Sequence, residues 1–263
     1  MPNIDPLRAI FVTGTDTGVG KTHVAALILR QLRNEGRQVG AYKPACSGAT
    51  QLPDGSWIWE DLVRLKEAIG DQPFHDREPH IDIICPQRFR TPVAPPVAAR
   101  LEQHPIDSEL LAEGVNTWRG RAEGVVIEGV GGWLCPVSDE WTIADLAVRW
   151  KVPVLIVSRR GLGTINHTLL TIESVRSRGL SIAGIILNEA EPIADDPSIA
   201  DNAAEIERRS GVPVLAELLH GDTGELRRAG VPVRIRWWEL MGPLRGIRSQ
   251  VSGVGPETIP SHI

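Results

Sequence analysis

The chain has 263 residues, with 28 Lys and Arg against 33 Asp and Glu for a formal charge of −5, and 42% hydrophobic to 23% charged side chains. That length buries a sizeable core in one domain or two, no apolar run reaches the roughly 20 residues of a membrane helix, and the acidic balance lacks the basic stripe that displaces counterions from nucleic acid. Cys46, Cys85 and Cys135 are too scattered for a disulfide framework or metal pairing and residues 1–6 carry no signal-peptide pattern, so free thiols, a cytoplasmic setting and a small-molecule partner are expected.

Residues 9–12 are an apolar strand-like run that breaks into Thr, Gly and Asp and reaches Gly20-Lys21-Thr22. Val24, Leu27 and Ile28 then recur at helical spacing, which predicts a helix over 21–35. A second strand is predicted over 39–42, leading into Lys43, and a helix over 60–69 with Asp61 in its first turn, where the helix dipole favours a carboxylate. Residues 72–100 are rich in proline, 91–96 reading Thr-Pro-Val-Ala-Pro-Pro, and predict an ordered loop over a site. Helices are predicted over 108–121, 143–150, 165–178 and 200–210, and strands over 125–127, 154–157, 182–187 and 212–215. After about Gly221 the pattern fades, and the last fifteen residues are expected to be disordered. Strands apolar on both faces, alternating with helices, give an α/β protein with a mostly parallel sheet covered on both sides. We expect residues 1–263 to form a single domain with a poorly patterned tail from about 222, and ligands to sit at the carboxyl ends of the strands.

A glycine-rich turn from strand to helix that ends in Gly-Lys-Thr is how a phosphate-binding loop, or P-loop, is built. Its N–H groups and the helix N-terminus attract anionic oxygens, Lys21 neutralises the β- and γ-phosphates, and the Thr22 hydroxyl can bind magnesium. The spacing is a variant, because Gly14 lies one residue earlier than the strict pattern requires, at Thr15. Lys43, at the end of the second strand, brings another ammonium toward the same phosphates. Four apolar residues put Glu128 at a strand tip, where a carboxylate suits magnesium, and Gly129, Gly131 and Gly132 let the backbone approach a ligand.

These residues resemble the dethiobiotin synthetase family over about 11–215, carried in order by GTDTGVGKT, AYKPACSG, EGVGGWLCPVSD, GLGTINHTLLTIESV and AGIILNE. The resemblance implies the P-loop NTPase fold and an ATP-dependent, Mg2+-dependent carboxylation and ring closure of diaminopelargonic acid with CO2. It further implies a homodimer with substrate between subunits; from charge and hydropathy neither a nucleic acid nor a membrane partner is expected. It gives Lys43 and Lys21 catalytic roles alongside Thr17, and Ser47 a substrate contact. Thr22, Asp61 and Glu128 would hold the metal. Gly18, Val19, Gly20 and Lys21, with Gly129, Val130 and Gly131, would enclose ATP. Asn188 looks like the amide that recognises adenine, with Glu189 beside it where the family usually has Asp, and residues 161–166 look like the loop completing the substrate site across the dimer. The competing reading is a nucleotide-switch ATPase of the chromosome-partition or division-site type. That group carries an extra lysine early in the loop, where this chain has Thr15, Asp16 and Thr17.

Overall fold

The computed structural model describes residues 6–72, 81–193, 196–221 and 224–245. Ala9, Ile10, Phe11 and Val12 are wholly buried in β1 (Arg8–Gly14), which turns into α1 (Lys21–Asn34) and then β2 (Val39–Tyr42). Short strands β3 (Ala45–Ser47), β4 (Thr50–Gln51) and β5 (Trp57–Ile58) precede α2 (Glu60–Ile69). Next come α3 (Ile81–Ile84), β6 (Gln87–Phe89), α4 (Pro95–Glu102), α5 (Ser108–Glu113) and β7 (Gly124–Glu128). The alternation continues through α6 (Ile143–Trp150), β8 (Val154–Arg159), α7 (Thr164–Ser177), β9 (Ile182–Asn188), α8 (Ile199–Ser210) and β10 (Val214–Leu218). Last are β11 (Arg227–Arg228), β12 (Val231–Pro232), α9 (Trp237–Leu240) and β13 (Gly242–Pro243).

The main sheet has the order β12-β11-β10-β9-β8-β1-β7-β2, parallel from β10 to β2, with β11 and β12 antiparallel at one edge. β1 lies between β7 and β8, with Val12 opposite Glu128 and Gly14 opposite Val157, so the chain leaves β1 toward one side and returns on the other. Such a reversal opens a crevice at the strand tips, where a ligand fits. Phe11, Tyr42 and Trp150 fill the core beneath it, with centroids 5.6 Å apart for Phe11–Trp150 and 6.1 Å for Tyr42–Trp150.

Three predicted elements differ, each for a local reason. The helix over 108–121 stops at Glu113 and tightens into a 3-10 turn at Gly114–Trp118. The Tyr42 hydroxyl donates to the Leu111 carbonyl at 2.7 Å, and a Cβ at Gly114 would lie 2.6 Å from that hydroxyl oxygen. The last parallel strand runs over 214–218, not 212–215, because Pro213 has no N–H to give a ladder and contributes only its carbonyl, to the Ile185 N–H at 3.0 Å. Within 72–100 the prolines do not all make loop: Pro95 and Pro96 open α4, where the first turn tolerates a missing N–H.

The tail after 221 also has structure. It extends the sheet edge, then crosses to the amino ends of the central strands, where β13 pairs antiparallel with the start of β1. Trp237 is wholly buried there, its indole N–H donating to Gln31 Oε1 at 2.9 Å, while Gln31 Nε2 donates to the Ile235 carbonyl at 2.8 Å. The Trp238 ring receives two guanidinium groups, Arg37 at 4.3 Å and Arg8 at 5.3 Å. The predicted disordered end, 249–263, lies outside the described residues.

Candidate functional site

At the carboxyl ends of the strands lies a cavity of about 860 Å³. The glycine loop forms its floor. Gly18 and Gly20 adopt left-handed backbone with φ of 75° and 90°, and a Cβ at Gly20 would lie 2.1 Å from the Asn188 amide nitrogen, so position 20 admits only glycine. This turn delivers Lys21 and Thr22 as the first residues of α1, with their side chains almost buried in the cavity wall. Lys21 Nζ donates to the Asp16 carbonyl at 2.9 Å.

Beside the floor, Lys43 follows β2 and Glu128 ends β7, two adjacent parallel strands, so both side chains leave the sheet at one level. Lys43 Nζ donates to Glu128 Oε1 at 2.6 Å and to Asp61 Oδ2, from the first turn of α2, at 2.7 Å. The Thr22 hydroxyl donates to the same Glu128 Oε1 at 2.7 Å. Thr22, Glu128, Lys43 and Asp61 thus form one continuous hydrogen-bonded chain across the cavity wall. Lys43 is 3% and Glu128 1% exposed, and a buried ion pair of that kind repays its desolvation poorly as stabilisation, so its placement asks for another explanation.

Electrostatics separates the two lysines. Burial alone would lower the Lys43 pKa, but the Glu128 and Asp61 carboxylates outweigh it and raise it well above the ordinary lysine value, so this ammonium stays charged. Lys21 is lowered, first by burial and then by the Lys43 charge, against a partial pull from Glu128. Burial also raises Glu128, with Lys43 opposing, whereas Asp61 ends below its usual value because Lys43 more than offsets burial. Glu128 Oε2 is buried and has no hydrogen-bond partner. An anionic oxygen left so is an acceptor waiting for a cation. Among the described residues no group of three or more His, Cys, Asp and Glu could hold a metal ion, so a cation here would need oxygens from a ligand to complete its shell.

Of the residues singled out from sequence, Thr17, Gly18, Gly20, Lys21, Thr22, Lys43, Ser47, Asp61, Glu128, Val130, Gly131, Asn188 and Glu189 all border this cavity. Val19 and Gly129 do not. Val19 is buried behind the loop with its carbonyl accepting from Asn188 Nδ2 at 2.9 Å, and the Gly129 N–H donates to the Val12 carbonyl at 2.9 Å. The Asn188 amide N–H2 is therefore engaged by the loop, while Glu189 accepts from Arg160, which also reaches Glu217, at 3.1 and 2.7 Å. In the 161–166 loop, Leu162 is 81% exposed, and its backbone N–H donates to Asp196 Oδ2 at 2.8 Å.

The sequence reading missed Arg64, Cys135 and Ala190 on the cavity wall and set aside His23 and Cys46, which join them; residues 92–95, within the loop expected over a site, border the cavity too, as do residues 219–221. For Arg64 a signal existed: it follows Asp61 by three residues on a helix, hence on the same face. Cys46 is a poor nucleophile, since burial pushes its thiol up to about 12.

A family model described as an AAA domain matches residues 8–221. The ATP-dependent dethiobiotin synthetase of Anaeromyxobacter sp. is 43% identical over 215 residues, covering 81% of this chain and 91% of that protein. Its namesake in Anaeromyxobacter dehalogenans is 46% identical over 202 residues, covering 77% and 85%. The protein of the same name in Rhodopirellula baltica is 38% identical over 218 residues, covering 79% and 82%.

Proposed function

This chain belongs to the family of ATP-dependent dethiobiotin synthetases, and from that premise we propose that it uses ATP to join CO2 to the two amines of diaminopelargonic acid, forming dethiobiotin in biotin biosynthesis. The observation that carries the reading is Lys43, a buried ammonium kept charged by two carboxylates beside a glycine loop that ends in Lys21. One substrate amine attacks CO2 and gives a carbamate. A carbamate oxygen then attacks the γ-phosphate, releasing ADP and leaving a carbamic-phosphoric anhydride. The second amine attacks the anhydride carbonyl, expels phosphate and closes the ring. Negative charge sits on carbamate or phosphoryl oxygens throughout, so fixed positive charge in a desolvated cavity lowers each barrier without a protein nucleophile.

The residues divide that work. Lys43 stabilises the charge that builds between carbamate and γ-phosphate. Lys21, whose positive charge burial disfavours, would have that charge favoured again by an anion arriving in the loop. Thr17 at the mouth of the loop and Ser47 on β3 border the reacting end of the cavity and orient the γ-phosphate and the substrate amine. Thr22, Asp61 and Glu128 would hold Mg2+, and the unmet Glu128 Oε2 supports that assignment. Bound there, the metal would supply charge neutralisation at the phosphoryl oxygens. Gly18, Gly20, Val130 and Gly131 shape the nucleotide bed, and Asn188 and Glu189 border the end where the base would lie.

We assign the 161–166 loop and α7 to contact with a second copy of the chain, because Leu162 and Leu170 are 81% and 56% exposed there and Leu134, on the loop whose Trp133 bonds Ser174 of α7, is 55% exposed. Among the described residues no helix is long and apolar enough to cross a membrane. One assay tests the function: ADP release that requires both diaminopelargonic acid and bicarbonate. Release indifferent to both would hand the site to a nucleotide switch.

A further inference from the structure

Among the described residues three Lys or Arg side chains border the cavity, and only Arg64 is uncommitted. Lys21 donates to a loop carbonyl, and Lys43 is held between two carboxylates. Arg64 is exposed and has no hydrogen bond or ion pair among the described residues. It stands on α2 one turn beyond Asp61, facing the same cavity.

The charge around it is unbalanced. Opposite α2 lies α1, where His23 follows Thr22 in the first turn. His23 is half-buried and borders the same cavity as Arg64. The α2 carboxylate on this wall, Asp61, is already held by Lys43, so it leaves the Arg64 guanidinium without an anion. In a loop of this type the first N–H groups of the helix receive the phosphates, and the residue after Lys-Thr lies beside those nearest the nucleoside. Ser47 and residues 92–95, which border the diamine's end, are carried by other elements, β3 and the approach to α4.

Resting on the reading of this cavity as an ATP site, we infer that Arg64 is a nucleotide-binding residue whose guanidinium grips the α- and β-phosphates from α2, on the side the glycine loop leaves open. A guanidinium suits the task, since its planar fork meets two phosphate oxygens at once and a lysine ammonium meets them as a point charge.

The test is calorimetric titration of ATP, ADP and inorganic tripolyphosphate into the unaltered chain, Arg64→Ala and Arg64→Lys, with KM measured for ATP and for diaminopelargonic acid. Arg64→Ala should weaken all three ligands about tenfold and raise the KM for ATP by the same factor, with Arg64→Lys between it and the parent. ATP affinity of the alanine variant should also depend less steeply on salt than that of the parent. Because Arg64 is exposed, unfolding midpoints should match across the set and exclude a folding defect. Affinities for ATP and ADP within twofold of the parent would overturn the inference, as would a KM increase confined to the diamine, which would give Arg64 to the substrate carboxylate. Tight, Arg64-dependent ATP binding without diamine-dependent turnover would instead refute the proposed reaction and leave this inference standing.

Discussion

The two ends of the central strands face opposite demands. At the carboxyl ends, Lys21, Lys43, Asp61, Arg64, Glu128 and Glu189 border a cavity floored by glycines, and one carboxylate oxygen is buried without a partner. At the amino ends, the tail closes over the sheet with Trp237 buried, Trp238 between two arginines, and β13 zipped onto β1. Nearly every polar group named there has its bond. One end keeps interactions unmet so that a ligand can meet them, and the other, the buried Arg8 Nε apart, satisfies those named here within the chain. The lesson is that chemistry and stability are separable along a single strand: β1 begins under the tail and ends at the phosphate loop.

That contrast can be broken by mutating each end and reading both activity and stability. Lys43→Ala should reduce single-turnover ADP formation with both substrates by about 10³-fold, while ATP affinity falls far less. A loss under tenfold would move the chemistry elsewhere. Trp237→Ala should remove about 3–5 kcal/mol of stability in urea unfolding and leave the KM for ATP within twofold of the parent. If KM moved with stability, the two ends would be coupled and the separation wrong. Glu128→Gln should raise the Mg2+ concentration needed for half-maximal turnover about tenfold, measured by magnesium titration at saturating ATP. An unchanged requirement would remove Glu128 from the metal's shell.

The smallest expected effect is a pH dependence. Folded Asp61 has a pKa below its ordinary 3.8, so the folded chain binds fewer protons at this position than the unfolded one. Its contribution to stability is therefore complete above the unfolded value and drains away as the pH falls through the lower folded value. Comparing the parent with Asp61→Asn in urea between pH 6 and pH 2 should show the two curves converge toward acid; curves that stay parallel would mean that the Lys43–Asp61 bond contributes nothing.

How much of this was legible in the sequence follows from how local each feature is. Gly18, Gly20, Lys21 and Thr22 could be read because the loop's conformation and charge are written in adjacent residues. Lys43 and Glu128 could be read because an apolar run ending in a charge marks a strand tip. Arg64 offered only its helical spacing from Asp61, since its sharing a cavity wall with His23 of another helix is a tertiary fact. The tail was opaque for the same reason: Trp237 looks unpatterned until Gln31, some two hundred residues away, receives its N–H. Asn188 was read as a base-recognising amide, yet its N–H2 first ties the tip of β9 to the loop through the Val19 carbonyl, a contact that no run of neighbouring residues reveals.

Leu244 donates its backbone N–H to the Leu7 carbonyl at 2.7 Å, so positions near the two extremities of the described chain are neighbours on the side away from the cavity. A circular permutant that joined them through a short bridge and opened instead at the exposed tip between β4 and β5 would keep the connectivity of the phosphate loop intact. Affinity handles or surface tethers attached at this corner would likewise point away from the incoming substrates.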